Sequence, residues 1–191
     1  MKKSIALVMM AVLLVAASVM GTLAFLTSTD AVENTFTVGK VAITLDEAKV
    51  NVYGEVDASV ANRVKGNTYK LIPGHKYTKD PIVHLASDSE ACWLFVKVDN
   101  GIAAIEADTK IAEQITTNGW TALAGETGVY YRKVNATDAA AGNDYEVFGS
   151  FKLTDDAKVE NYATANVTVT AYAIQADGFT TAAAAWAEVS K

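Results

Sequence analysis

The chain has 191 residues, half of them apolar, and a formal charge of −6. That is one domain's length with enough apolar sequence for a core, and the acid excess without any Lys/Arg cluster excludes nucleic acid as a partner. Cys92 is the single cysteine, so no intramolecular disulfide staples the chain.

The first element is an apolar run from Ile5, preceded by Lys2 and Lys3 and ending in Thr22-Leu23-Ala24. A basic start, an apolar centre and a small-x-small end describe a secretory leader cut between Ala24 and Phe25. Counted to Leu26, the run would make roughly 33 Å of helix, so length alone would also permit a membrane anchor. The flank Thr27-Ser28-Thr29-Asp30 carries no basic residue and places the downstream chain outside in either case. The expectation is a leader over 1–24, a mature chain of charge −8 because two lysines and no acids are lost, and no membrane attachment after cleavage.

Period-two alternation dominates the chain beyond Ala24. Val32, Asn34, Phe36 and Val38 share one face of a strand within 25–40, and Val41, Ile43 and Leu45 repeat the pattern after Gly39. Residues 46–67 read as a polar excursion, 67–72 as a strand closed by Pro73-Gly74, and 81–86 as another strand. Cys92 to Val98 is apolar on both faces at its start and so central, which makes Cys92 a buried thiol rather than a reactive one. Residues 120–123 and 128–134 predict a hairpin around Gly125 and Gly128. Tyr145, Val147, Gly149, Phe151 and Leu153 line one face of a single strand. Val167, Val169, Ala171 and Ala173 line one face of the last, with Tyr172 and Ile174 on the other.

Helices are predicted over 108–117, with Ile111 and Ile115 at i,i+4 before Asn118-Gly119, and over 180–189, which either covers an open end or docks on the sheet. Pro73 and Pro81 bound strands rather than interrupt them. Many short strands separated by turn signals define an all-β fold with one or two short helices: an antiparallel β-sandwich, jelly-roll-like, over 41–191.

Catalytic machinery is sparse. His75 and His84 are the only histidines, there is no His-Glu-x-x-His, and the acidic tips Asp99-Asn100-Gly101 and Asp155-Asp156 lack the ligand spacing of a calcium loop. No Gly-x-Ser-x-Gly elbow or phosphate-binding glycine loop occurs, and Asp88 and Glu90 flank a loop. No metal, no cofactor and no enzymatic activity are expected, and a structural or binding role is the expectation instead.

Gly21-Thr22-Leu23-Ala24-Phe25-Leu26-Thr27 with Asn34-Thr35-Phe36-Thr37-Val38-Gly39 resembles the leader junction and first strand of the TasA/camelysin family of secreted Gram-positive proteins. Leu71 to Pro81 resembles that family's Pro-Gly-x-x-x-x-Lys-Asp segment. The resemblance covers the first half of the chain. It implies processing by a SipW-type signal peptidase, a jelly-roll domain, and head-to-tail homopolymers in an extracellular biofilm matrix, in which the N-terminal strand of one subunit completes the sheet of the next. Some members have been labelled metallo-endopeptidases, an activity for which this sequence lacks the motif. The function expected is therefore self-assembly of a secreted protein by donor-strand addition, with Val32, Phe36 and Val38 filling a groove. The alternatives are a monomeric secreted or surface binding module and, behind it, a secreted metal-dependent protease using His75 and His84.

Overall fold

The computed structural model describes Met9, residues 39–56 and residues 62–191. The expected cleavage junction Ala24–Phe25 and the residues Val32, Asn34, Phe36 and Val38 lie outside the described residues.

The described residues form eleven short strands, all paired antiparallel, and three short helices. One sheet orders β2 (Arg63–Val64), β1 (Ile43–Ala48), β4 (Ile82–Leu85) and β9 (Asp144–Glu146). A second orders β3 (Lys76–Thr78), β10 (Ser150–Leu153) and β6 (Glu106–Ala107). The third orders β11 (Val167–Gln175), β5 (Cys92–Asn100), β8 (Val129–Val134) and β7 (Thr121–Ala122). The all-β, sandwich-like class expected from the alternation is the class observed.

Strand β5 is the centre. Its first five residues, Cys92 to Val96, are all buried, because its two faces meet different cores. Cys92, Leu94 and Val96 point into the main core with Tyr77, Val83, Trp120, Phe148 and Leu153. Trp93 and Phe95 point outward, where the C-terminal helix α3 (Ala182–Val189) covers them with Ala185 and Trp186. The Trp186 ring lies 5.3 Å from Phe95 and 5.2 Å from Tyr172, and burying such a side chain contributes about 1.5–3 kcal/mol. Thr181 starts this helix by accepting a hydrogen bond on its hydroxyl from the Ala184 N–H. The Ala-rich segment thus docks on the sheet, one of the two arrangements expected of it.

The predicted hairpin forms, with β7 paired to β8, and Gly128 is required there. Its φ is +73°, and a Cβ at this position would stand 2.5 Å from the Val98 carbonyl oxygen. Helix α1 (Ile111–Thr117) falls within the predicted 108–117 and buries Ile111 and Ile115.

Three elements differ from expectation. Residues 67–72 are not a strand. Their backbone bonds go to Val52 and to the Tyr77 hydroxyl, which donates to Lys70 and accepts from Ile72, and the strand lies after the Pro73-Gly74 turn as β3. The single strand expected over 145–153 is two, β9 and β10, in different sheets. The crossing at 147–149 is held by Gln114, whose side-chain oxygen accepts from the N–H groups of Gly149 and Ser150 while its amide donates to Ser150. A short helix α2 (Ala136–Ala141) has no counterpart in the expected elements; the Asn135 side chain caps it by accepting from Asp138 N–H.

Leu94 is fully buried at the middle of this arrangement. Leu94→Ala should lower the unfolding free energy by about 2–5 kcal/mol, read from denaturant titration of the purified domain.

Candidate functional site

One side of the main core is unfinished. Ile43 and Leu45 of β1, and Val167, Val169 and Ala171 of β11, face the core but remain half-buried. They face one another across a groove of about 550 Å³. Both strands contribute edges to it. Strand β11 pairs only with β5 among the described residues, over its full length from Val167–Asn100 to Gln175–Cys92. Strand β1 pairs with β4 on one side over Ile43–Asp46, but its pairing with β2 on the other begins only at Glu47.

The two edges run in opposite directions. Lys40 lies at the Gln175 end: its carbonyl accepts from Glu90 N–H, while neighbouring Ala91 accepts from Ala176 N–H. At the other end, the Glu47 carboxylate meets the Lys79 ammonium at 2.5 Å, and Lys79 reaches the wall beside Val167. The groove does not stop there. Past Lys79 and Val167 it opens into a second cavity of about 440 Å³, walled by Tyr69, Leu71, Phe151, Val159, Tyr162 and Ala165. The two cavities adjoin at Lys79 and Val167 and together form a trench of mixed polar and apolar lining, with the Lys79–Glu47 pair at its waist, where they meet.

The trench is guarded by charge. Lys65 Nζ donates to the Leu45 carbonyl at 2.5 Å and so occupies part of the β1 edge, a known way of blunting an exposed strand. Glu47 is almost fully buried and also accepts from the Asn67 amide at 2.9 Å, so the ion pair at the waist is hydrogen-bonded on both carboxylate oxygens.

A second polar cluster straps the outer side of the same strands. His84 on β4 bonds Asp46 of β1 through Nε2 at 2.9 Å and Asp144 of β9 through Nδ1 at 2.6 Å. Arg63 binds Asp46 and, at 3.0 Å, Asp80. Burial opposes charge on the imidazole, but the hydrogen bonds and charges of Asp46 and Asp144 outweigh it and raise the His84 pKa. Burial likewise opposes ionisation of Asp46, and the hydrogen bonds from Arg63 and His84 reverse the balance, holding its carboxyl low.

Of the expected site residues, His84 takes the half-exposed strand position, but both its ring nitrogens are engaged by carboxylates. His75 is less solvated than its turn suggested: Nε2 bonds the Tyr53 carbonyl at 2.9 Å and the ring packs edge-on against Tyr77. The structure does not bring the two histidines together, and no group of three or more His, Cys, Asp or Glu side chains among the described residues is placed to hold a metal. Cys92 is fully buried, and desolvation pushes its thiol up to about 11. Glu106, a buried carboxyl raised by desolvation, is consumed in structure, accepting from Ile111 N–H and Asn100. No helix among the described residues is long and apolar enough to cross a membrane. The residues that sequence reading did not bring together are those lining the groove, and the signal for them was faint: Val167 to Ala173 alternate like any half-buried strand.

No protein family, characterised protein or solved structure matches this chain.

Lys79→Met leaves Glu47 buried and unpaired, and should cost about 3–5 kcal/mol in a chemical denaturation, with part recovered in the Glu47→Gln/Lys79→Met double variant. Because the folded-state pKa of His84 is raised, its contribution is full below about pH 6.5 and fades as pH climbs through the raised value. Melting temperature should therefore fall from about pH 6 to about pH 8 by a component that His84→Gln abolishes.

Proposed function

We propose that this protein is a secreted structural subunit that polymerises head-to-tail by strand addition, residues 25–38 of one copy entering the trench of the next. The observation that carries the reading is the half-covered core between the facing edges of β1 and β11. A strand laid there would cover Ile43, Leu45, Val167, Val169 and Ala171 and give the open β11 edge a partner.

The way the chain reaches the domain also supports exchange between copies. Residues 40–42 are held alongside the 86–90 segment by bonds from Glu90 and Ala86 to the carbonyls of Lys40 and Ala42. Gly39 sits beside Glu90 and Gln175, at the extreme end of β11. To lie in its own groove the preceding segment would have to turn back on itself at Gly39, whereas a neighbouring copy would take it without a reversal. The resemblance of Gly21–Thr27 to a leader junction adds the trigger: cleavage after Ala24 would free the segment that joins one subunit to its neighbour. Such a contact propagates without closing, as a filament requires.

Strand addition has a cost. The Cα atoms of β1 and β11 approach within 8 Å of each other, whereas a strand between two others needs about 9.6 Å, twice the interstrand spacing. The edges must part and Lys65 must release Leu45 before a strand can enter along that stretch. A monomeric binding module, using the aromatic-lined half of the trench for a small ligand, is the reading that remains if no polymer forms.

Chain 25–191 should give filaments by electron microscopy and a polydisperse profile by size-exclusion chromatography, while chain 39–191 stays monomeric. Filaments from the shorter chain would overturn the proposal.

A further inference from the structure

We infer that the aromatic cavity at the far end of the trench is the seat of Phe36 from a second copy, so that the incoming strand runs parallel to β1 and antiparallel to β11. This rests on the strand-addition reading above and adds direction, register and an anchoring side chain to it.

The direction is set by where the tail leaves. Gly39 lies at the Gln175 end of β11, so each copy in a row sends its tail out at that end. A copy receives its neighbour's tail from the opposite end, where Val167 and the aromatic cavity lie. Residue 38, still joined to the donating domain, then sits at that entrance, and residue 25 points toward Gln175. Strand β1 runs from the Gln175 end toward Val167, and β11 runs the other way, which fixes the relative directions.

The register is set by distance and chemistry. Phe36 lies two residues from Val38, about 6.6 Å along a strand and on the same face. It is thus the aromatic side chain nearest the entrance once the strand is seated, Phe25 lying at the opposite end. The wall there is the most aromatic part of the trench: Tyr69 stands edge-on to Phe151 at 5.5 Å between ring centroids, and Tyr162 lines the same cavity. An aromatic ring fits such a wall better than Val38 or Val32, because edge-to-face pairs add to the gain from burial. On the other side of Lys79 the lining is aliphatic, with Ile43, Leu45, Val169 and Ala171 and no aromatic ring, which suits Val32. A second feature marks the same end as an interface. Val52, Tyr53, Val56 and Ile72 are exposed large apolar residues, and they belong to the loops beyond the Glu47 end of β1, where the donating domain would abut.

The test keeps the full chain, exported through its own leader, with p-benzoyl-phenylalanine incorporated in place of Phe36 so that an aromatic ring is retained. Filaments assembled from a mixture of isotopically labelled and unlabelled copies are irradiated, and cross-linked peptides are mapped by mass spectrometry. The expected products join the residue 36 peptide of one copy to residues 69–71, Phe151 or 159–165 of another. Cross-links to residues 171–175 in well-formed filaments would overturn the direction and the cavity assignment while leaving strand addition intact. Cross-links confined to one copy, or no filaments by electron microscopy from the unsubstituted chain, would remove both. As a second readout, Phe36→Ala and Tyr162→Ala should each raise the critical concentration for filament growth by about tenfold or more. An unchanged critical concentration in both would overturn the anchoring role.

Discussion

The nine-residue ladder between β5 and β11 is the constraint on which the rest of the structure depends. Strand β5 is buried on both faces and paired on both sides, so it cannot shift by one residue without exchanging Leu94 and Val96 for Trp93 and Phe95. That fixes the register of β11, and with it which residues of β11 face the core. Val167, Val169 and Ala171 are committed inward by their pairing to β5, whether or not anything covers them. The open trench is thus a consequence of a well-determined strand, rather than of a loosely packed one.

Around this ladder the apolar and polar interactions divide the labour. The C-terminal helix closes the outer face with Trp186, and Trp93 Nε1 is the one buried side-chain polar atom among the described residues left without a partner. The opposing sheet is tied together by charge instead: His84, Asp46, Asp144 and Arg63 bridge neighbouring strands on its outer side, and Lys79–Glu47 sits within. Exposed ion pairs contribute little, but a buried pair resists the loss of either member. The β1 edge therefore keeps its position beside an open groove, where packing alone would leave it undersupported.

Much of this was legible in the sequence, for identifiable reasons. Strands that alternate over six or more residues, such as 129–134 and 167–175, carry their own evidence, and the doubly apolar start at Cys92 marked the central strand. Ile111 and Ile115 gave α1 its buried face. What misled was local pattern overridden by distant partners. Asn67 to Ile72 has the composition of a strand, yet a tyrosine hydroxyl from residue 77 takes its backbone groups. Tyr145 to Leu153 keeps one alternating face, but Gln114, far earlier in the chain, holds the point at which the chain changes sheets. The candidate site was half legible. The groove is walled by two edges, β1 and β11, from opposite ends of the domain's sequence, and no local spacing records their meeting.

The attachment of Gly39 has a mechanical consequence. Any tension borne by the residues before it enters the domain along β1, through the Lys40–Glu90 and Ala42–Ala86 bonds and then the β1–β4 ladder. The ladder bonds run perpendicular to the strand, so a pull along β1 would load them together instead of one at a time. A load applied at Gly39 is thus shared over a whole ladder rather than falling on a single bond.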